Sequence, residues 1–432
     1  MRLVDRVRRI GLGAALMFVC VSTASAQVFD TEALGQETLW SDFFGSDARA
    51  MAMGNTGLAF SHDGSAMIYN PANLAKIKRI EFRAGLSHQR LANDTRLLWG
   101  GQAFTDDRNL NKTRINALSL TVPVPTYRGS LVFGFGLHRI NSFDRAFGVL
   151  YDELGTSGVA TDRGRELETG GIWKWTAGGA VDISPRLSTG MSLHLLTGKD
   201  DYQWNREDNR TANTITEDQT INLDYVGVSA TAGLTYAISP VVSAALTLET
   251  PTYLAVEENA RLVVDTLDSE WQWYDETTSN YQILRPLAFG LGLAASVRQL
   301  NILGDLRYTD WTQLDFSYDD PALKNDEAAA KRFIQDNLTE VLGVNIGAEY
   351  LIPDRGVTLR AGYFRDPLPV DARFIESQRQ YVTAGVGLLI DRVMTLDLAY
   401  VQGGYELRND DPGTYFAKYK TRRAFVTFGY RI

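Results

Sequence analysis

What most constrains this chain is the rhythm of its breaks. From Arg79 to the C-terminus, segments alternating a large apolar residue with a small or polar one are separated by short and long interruptions in turn. "SLVFGFGLHRI" puts Leu131, Phe133, Phe135 and Leu137 on one face, with Val132, Gly134, Gly136 and His138 on the other. "PLAFGLGLAASV" and "VMTLDLAYV" repeat the pattern with Leu287, Phe289, Leu291 and Leu293, and with Met394, Leu396, Leu398 and Tyr400. Side chains of a strand alternate faces, so each segment carries one apolar and one small or polar face. A soluble sandwich would do the same, but the breaks distinguish the two. Short ones fall at 126–129, 184–186, 239–240, 298–299, 353–356 and 391–392. Long polar ones fall at roughly 92–112, 142–170, 205–217, 255–280, 317–338, 366–378 and 408–419. Strict alternation of this kind predicts a meander of hairpins with one trimmed rim and one elaborated rim, the arrangement of outer-membrane barrels. Fourteen strands fit between the breaks, an even number that brings both ends to the short-turn rim. The expectation is an all-β fold, a 14-stranded antiparallel transmembrane β-barrel over residues 79–432.

Aromatic residues near strand ends fit interfacial girdles: Trp173, Trp175, Tyr202, Trp204, Trp311, Phe316 and Tyr405 by the long breaks, and Tyr127, Tyr236, Tyr350 and Tyr430 by the short ones. The first residues address the compartment. Arg2, Arg6, Arg8 and Arg9 precede an apolar run from Ile10 to Val21 and an Ala24-Ser25-Ala26 site, which predicts a cleaved signal peptide over 1–26. The single cysteine, Cys20, lies inside it, and Val19 before it argues against lipidation. Loss of four arginines and Asp5 moves the net charge from −9 to −12, unsuited to nucleic acid. Downstream no apolar run is long enough for a transmembrane helix.

Fourteen strands enclose more space than their side chains fill. Residues 27–78, before the first strand, are therefore expected to form a hatch folded into the lumen. Pro71 biases Asn70 toward an extended conformation within "MIYNPANLAKI". "GSDARAMAMGNTGLAFSHDGSAMIYNPANLAKI" resembles the N-terminal signature of the FadL/TodX (OmpP1) family of outer-membrane transporters of long-chain fatty acids and other hydrophobic compounds. Gly54, Gly57, Ala59, Asp63, Asn70, Pro71, Ala72 and Leu74 take the signature positions, and His62 stands where the family often has a second acid. "DLRYTDWTQLDF" and "LRAGYFRDPLPV" look like two later family blocks. The resemblance implies uptake of a long-chain fatty acid or similar molecule: capture at extracellular loops beside lipopolysaccharide, binding in a lumenal pocket, and sideways exit into outer-membrane lipid through a kinked strand. It places the kink in the third strand, which carries Gly129, Gly134 and Gly136; equally, these glycines relieve crowding inside the barrel.

A fatty-acid carboxylate asks for a lumenal cation. Arg307 and Arg360 lie on small or polar strand faces and are candidates, although Asp305, Asp182, Glu349 and Asp397 could pair with them instead. Residues 317–338 include an Ala/Lys/Glu-rich stretch that reads as a short helix, and "WQWYDE" (271–276) offers aromatic residues for capture. His62, His88, His138 and His194 show no metal-ligand spacing, and no catalytic or nucleotide-binding motif is present; no cofactor, metal or enzyme activity is expected, and the barrel is expected to be a monomer. The same barrel type also serves type IX secretion as a partner of exported proteins, and the hatch residues do not separate that function from transport.

Overall fold

The computed structural model describes residues 45–432 apart from 100–101, 156–157, 210–213, 267–271, 319–320, 322–323 and 411–413. The expected signal peptide, residues 27–44 of the expected hatch, and Trp271 lie outside the described residues.

Four of the six short breaks are tight turns, and 126–129 and 239–240 lie in wider bends. Leu300 follows Val297 across Arg298 and Gln299, and Val357 follows Ile352 across "PDRG". Backbone handedness explains the turn chemistry. Arg298, Asp354, Asp391 and Arg392 take φ of 54°, 61°, 50° and 59°, as primed hairpin turns require.

The strands are β1 (Glu81–Trp99), β2 (Gln102–Val124), β3 (Leu131–Arg139 and Arg145–Gly155), β4 (Gly158–Ser184), β5 (Leu187–Asp208), β6 (Ile215–Ala237) and β7 (Val242–Glu249 and Thr252–Thr266). They continue with β8 (Gln272–Arg285 and Ala288–Val297), β9 (Leu300–Asp310 and Asp315–Tyr318), β10 (Glu340–Ile352), β11 (Val357–Arg365), β12 (Ile375–Ile390), β13 (Met394–Asn409) and β14 (Thr414–Arg431). Four of them are interrupted once, so the eighteen paired segments make fourteen antiparallel strands. Closure is direct: β14 pairs with β1 from Glu81↔Arg431 to Leu98↔Thr414.

The long breaks differ from expectation. Most are extensions of the strands beyond the barrel wall, because their polar residues still alternate and still pair. β1 and β2 stay paired as far as Trp99↔Gln102, so that residues 92–99 and 102–112 belong to the ladder. Segments 317–338 and 366–378 do leave the sheet. The first holds the expected helix, α3 (Lys324–Asn337), which buries Ala330 and Ile334, and the second holds a short 3₁₀ turn, Ala372–Phe374.

The two faces sort as the alternation predicts. Phe82, Leu86, Phe135, Met191, Leu193, Val228, Phe289, Leu293, Ile346 and Phe428 are exposed on the outer wall. Their inward neighbours, among them Ser87, Thr121, Ser188, Ser192, Thr231, Thr383 and Thr427, are buried. A continuous apolar exterior around a polar or small interior is a soluble protein turned inside out, and suits a bilayer. Tyr127, Tyr236, Tyr350 and Tyr430 are exposed near the short turns. At the opposite end the expected girdle is different: Trp204 and Phe316 are buried, and Tyr202, Trp311 and Tyr405 pack against the interior. Only Trp175 of that set is a strongly exposed outer residue, alongside Tyr253, Tyr308 and Tyr400.

Candidate functional site: the lumen and the break in its wall

The hatch occupies the half of the lumen nearest the short turns. Helix α1 (Ala48–Ala52) starts at Asp47, whose carboxylate accepts from Arg49 N at 2.8 Å. Its apolar side, Ala48, Met51 and Ala52, packs on Phe364, Tyr381 and Phe425. Helix α2 (Ala66–Tyr69) leads into the Asn70–Pro71 step, where Asn70 has φ −154° and ψ 105°, the extended conformation that a following proline favours. A 3₁₀ turn, Pro71–Lys76, follows, its first amide (Ala72 N) donating to Asn70 Oδ1 at 3.1 Å.

Asn70 also fastens the hatch to the wall. Its Nδ2 donates to Leu58 O (2.7 Å), Thr235 Oγ1 (3.0 Å) and Leu234 O (3.2 Å). Gly57 N and Leu58 N both donate to Asp305 Oδ2, at 2.8 and 3.0 Å. Gly54, at φ 67°, donates to Thr383 Oγ1 at 2.9 Å and lies against the backbone of Gly362. These residues are buried, so an amide left unpaired there would be costly.

Charge is arranged in a line. Asp63, Arg49, Glu349, Arg360, Asp397, Arg83 and Asp47 form six consecutive ion pairs of alternating sign, at 3.4, 3.0, 3.1, 2.7, 3.1 and 2.7 Å. Three members come from the hatch and four from the wall. Burial acts to raise the Asp63 carboxyl, but the Arg83 and Arg49 guanidiniums and two Ser65 hydrogen bonds outweigh it and hold Asp63 well below its usual range. Arg360, a candidate for a ligand carboxylate, is a central link of this chain. Arg307, the other candidate, stacks its guanidinium 5.2 Å from the centre of the Tyr69 ring. Sequence alone does not reveal the chain, since Arg49 and Glu349 are 300 residues apart.

Above the hatch the character changes. Leu97, Phe143, Phe147, Leu196, Trp204, Tyr225, Leu254, Tyr281, Phe316, Ile334 and Tyr415 belong to one apolar cluster inside the barrel. Phe147 meets Tyr415 edge-on at 5.7 Å, and Phe143 lies 5.6 Å from Tyr225. The aromatics that strand-end position suggested for an outer girdle contribute to this interior.

Beside that cluster the wall is broken. β3 follows β2 from Leu131↔Val124 to His138↔Ala117, and there the ladder stops. Residues 140–144, "INSFD", make an irregular step, after which β3 resumes on β4 alone, from Arg145↔Glu168. Five residues of β3 stand opposite four of β4, and β2 makes no ladder with the upper part of β3. The upper part has moved inward: Arg145, Ala146, Phe147, Gly148 and Val149 are all buried, with no exposed alternate face. Thr95 Oγ1 of β1 reaches past β2 to donate to Gly148 O at 2.6 Å. Asp144 anchors the step, accepting from Arg114 of β2 at 2.6 Å and from Arg139 at 3.1 Å.

Gly129, Gly134 and Gly136 precede this step. Gly129 is in the turn before β3, at φ 73°. A Cβ on Gly134 would sit 2.7 Å from Met67 Sδ, and one on Gly136 would sit 2.9 Å from Met67 Cε. Both glycines therefore admit the hatch to the wall. The step itself has no glycine; its signal was "INSFD", hidden within an expected long loop.

The 14-stranded barrel has counterparts among solved structures. The toluene transporter TodX of P. putida superposes with a TM-score of 0.62 at 16% identity, over 90% of this chain and 99% of that one. A P. aeruginosa FadL homologue gives 0.60 at 12%, over 89% and 98%, and the monoaromatic hydrocarbon channel CymD gives 0.59 at 12%, over 91% and 99%. The chain has the FadL/TodX fold. By sequence, no family model and no curated protein matches it. Identity this low conveys architecture alone.

Proposed function

We propose that the protein is a member of the FadL/TodX family that carries hydrophobic small molecules into or across the bacterial outer membrane. Capture occurs at the outer hairpins, beside lipopolysaccharide, and the molecule enters the apolar upper lumen. It leaves sideways into the membrane lipid between β2 and the upper part of β3, while the hatch closes the periplasmic side. The observation that carries this reading is the adjacency of the apolar interior to the broken ladder. An apolar solute gains little from an aqueous pore, and a gap in the wall joins one apolar medium to another. The named neighbours are a toluene transporter and a monoaromatic hydrocarbon channel, which supports the same class of cargo. The hatch elements Gly54, Gly57, Asp63, Asn70, Pro71 and Ala72 serve as the stopper, and Arg360 serves that stopper through its ion pairs. Long-chain fatty acids and neutral hydrocarbons both fall within this class.

The test is native mass spectrometry with lipid extraction on detergent-purified, never-refolded protein. A stoichiometric hydrophobic ligand is expected. A barrel that is empty and conducts small polar solutes would overturn the reading, and a co-purifying exported protein would favour the secretion role.

A further inference from the structure

Resting on that reading, we propose that the upper lumen recognises ligands bearing an ammonium group on an apolar body. The polar groups set into its apolar wall are mainly acids. Glu166 and Glu168 of β4, Asp200 of β5 and Glu258 of β7 face inward at neighbouring levels; Asp200 is in register with Gly170 and Leu223, and Leu223 is in register with Glu258. Glu168, Asp200 and Glu258 are each 2% exposed or less.

Arg145 neutralises part of this set, pairing with Glu166 at 2.8 Å and Glu168 at 3.2 Å. Glu258 accepts from the Tyr281 hydroxyl at 3.1 Å. Asp200 faces the Glu168 carboxyl across the β4–β5 ladder, and Asp200 Oδ1 is almost fully buried without a described N–H donor. A stranded carboxylate oxygen in an apolar interior is costly, and a ligand's N–H would satisfy it. No group of described histidines and carboxylates is arranged to hold a metal ion.

The surroundings suit an organic cation. Tyr225 stands among Asp200, Glu168 and Glu258, and Trp204 and Tyr281 belong to the same buried cluster. Aromatic faces with adjacent carboxylates attract ammonium groups, and the attraction strengthens where water is excluded. An anionic head would meet the acids instead. The other cations of these strands are engaged: Lys174 of β4 pairs with Glu249 of β7, and Arg285 of β8 stacks 5.4 Å from the centre of the Trp311 ring.

The experiment compares three probes of equal chain length, dodecylammonium, dodecanol and dodecanoate, titrated calorimetrically into the full-length barrel in a non-ionic detergent. Dodecylammonium is expected to bind at least about tenfold more tightly than dodecanol, with dodecanoate weakest. Asp200→Asn is expected to remove most of that preference while leaving dodecanol affinity unchanged, and Asp200→Glu to keep it. Equal affinity for dodecylammonium and dodecanol, tighter binding of dodecanoate, or a preference that survives Asp200→Asn would each overturn the inference and leave hydrophobic transport standing. Failure of all three probes to bind would overturn both.

Discussion

The two halves of the lumen solve the same geometric problem with opposite chemistry. Near the short turns the space inside fourteen strands is filled by chain: a hatch held by alternating charges, an asparagine with three acceptors, and glycine-backed contacts. Near the long hairpins it is lined by aromatic and aliphatic side chains and bounded by a wall with one missing ladder. The lower half is directional and specifies a single arrangement. The upper half is mostly non-directional apolar contact, with a few buried acids set into it.

Mutations should separate the two halves. The largest effect is expected at the ion-pair chain: Arg83→Met leaves Asp47 without its cation and Asp397 with Arg360 alone, and should destabilise the hatch by about 3–5 kcal/mol. Hydrogen exchange of amides 47–76 would show it, with the strand amides of the barrel still protected; protection unchanged in the hatch would mean that the chain contributes little.

Asn70→Ala should cost about 2–3 kcal/mol, since it removes three donated bonds and the cap of the following turn. Fast exchange confined to residues 65–76 is the expected signature. Next comes Gly134→Ala, which crowds Met67 and should cost about 1–2 kcal/mol. Adding Met67→Ala should recover much of that loss in a double-mutant cycle. If the two effects simply add, the glycine serves the strand and not its fit to the hatch.

Acid supplies a finer test. A depressed carboxyl contributes stability that is present above its unfolded value, about 3.9, and lost as pH falls through its lower folded value. Asp63 is such a group, so Asp63→Asn should lower hatch stability at pH 7 and flatten its decline below about pH 4. The smallest effect belongs outside the lumen: Lys418→Ala loses a half-exposed pair with Glu406 and should change thermal stability by less than about 1 kcal/mol.

The comparison also explains what could be read from the sequence. The tight turns were legible because φ above zero favours particular residues, and Asp391–Arg392 sits where one was expected. The outer face was legible because lipid demands an apolar residue at every second position. The extended backbone at Asn70 was legible from "NPA", since Pro71 restricts the residue before it. Polar hairpins were mistaken for loops, because a strand beyond the membrane no longer needs an apolar face. The step at 140–144 was hidden among them. Trp204 and Phe316 were placed outside, because position near a strand end does not say which face a side chain occupies. Of the ion-pair chain, the Arg360 pairs with Glu349 and Asp397 were legible as candidates, but its links to Asp47, Arg49 and Asp63 were not, because they meet the wall only when distant parts of the chain are brought together.

The route by which Arg83 and Asp397 come to share one another has a consequence for assembly. One lies at the beginning of β1 and the other on β13, and the seam that brings them together is β14 zipped along β1. That seam cannot form until the last strand is available, so most of the sheet must wait as an open ribbon with two bare edges. The hatch already has partners on intermediate strands, such as Thr235 on β6 and Asp305 on β9. It can hold the curling ribbon from within, like a former on which staves are bent, before the final pair is driven home.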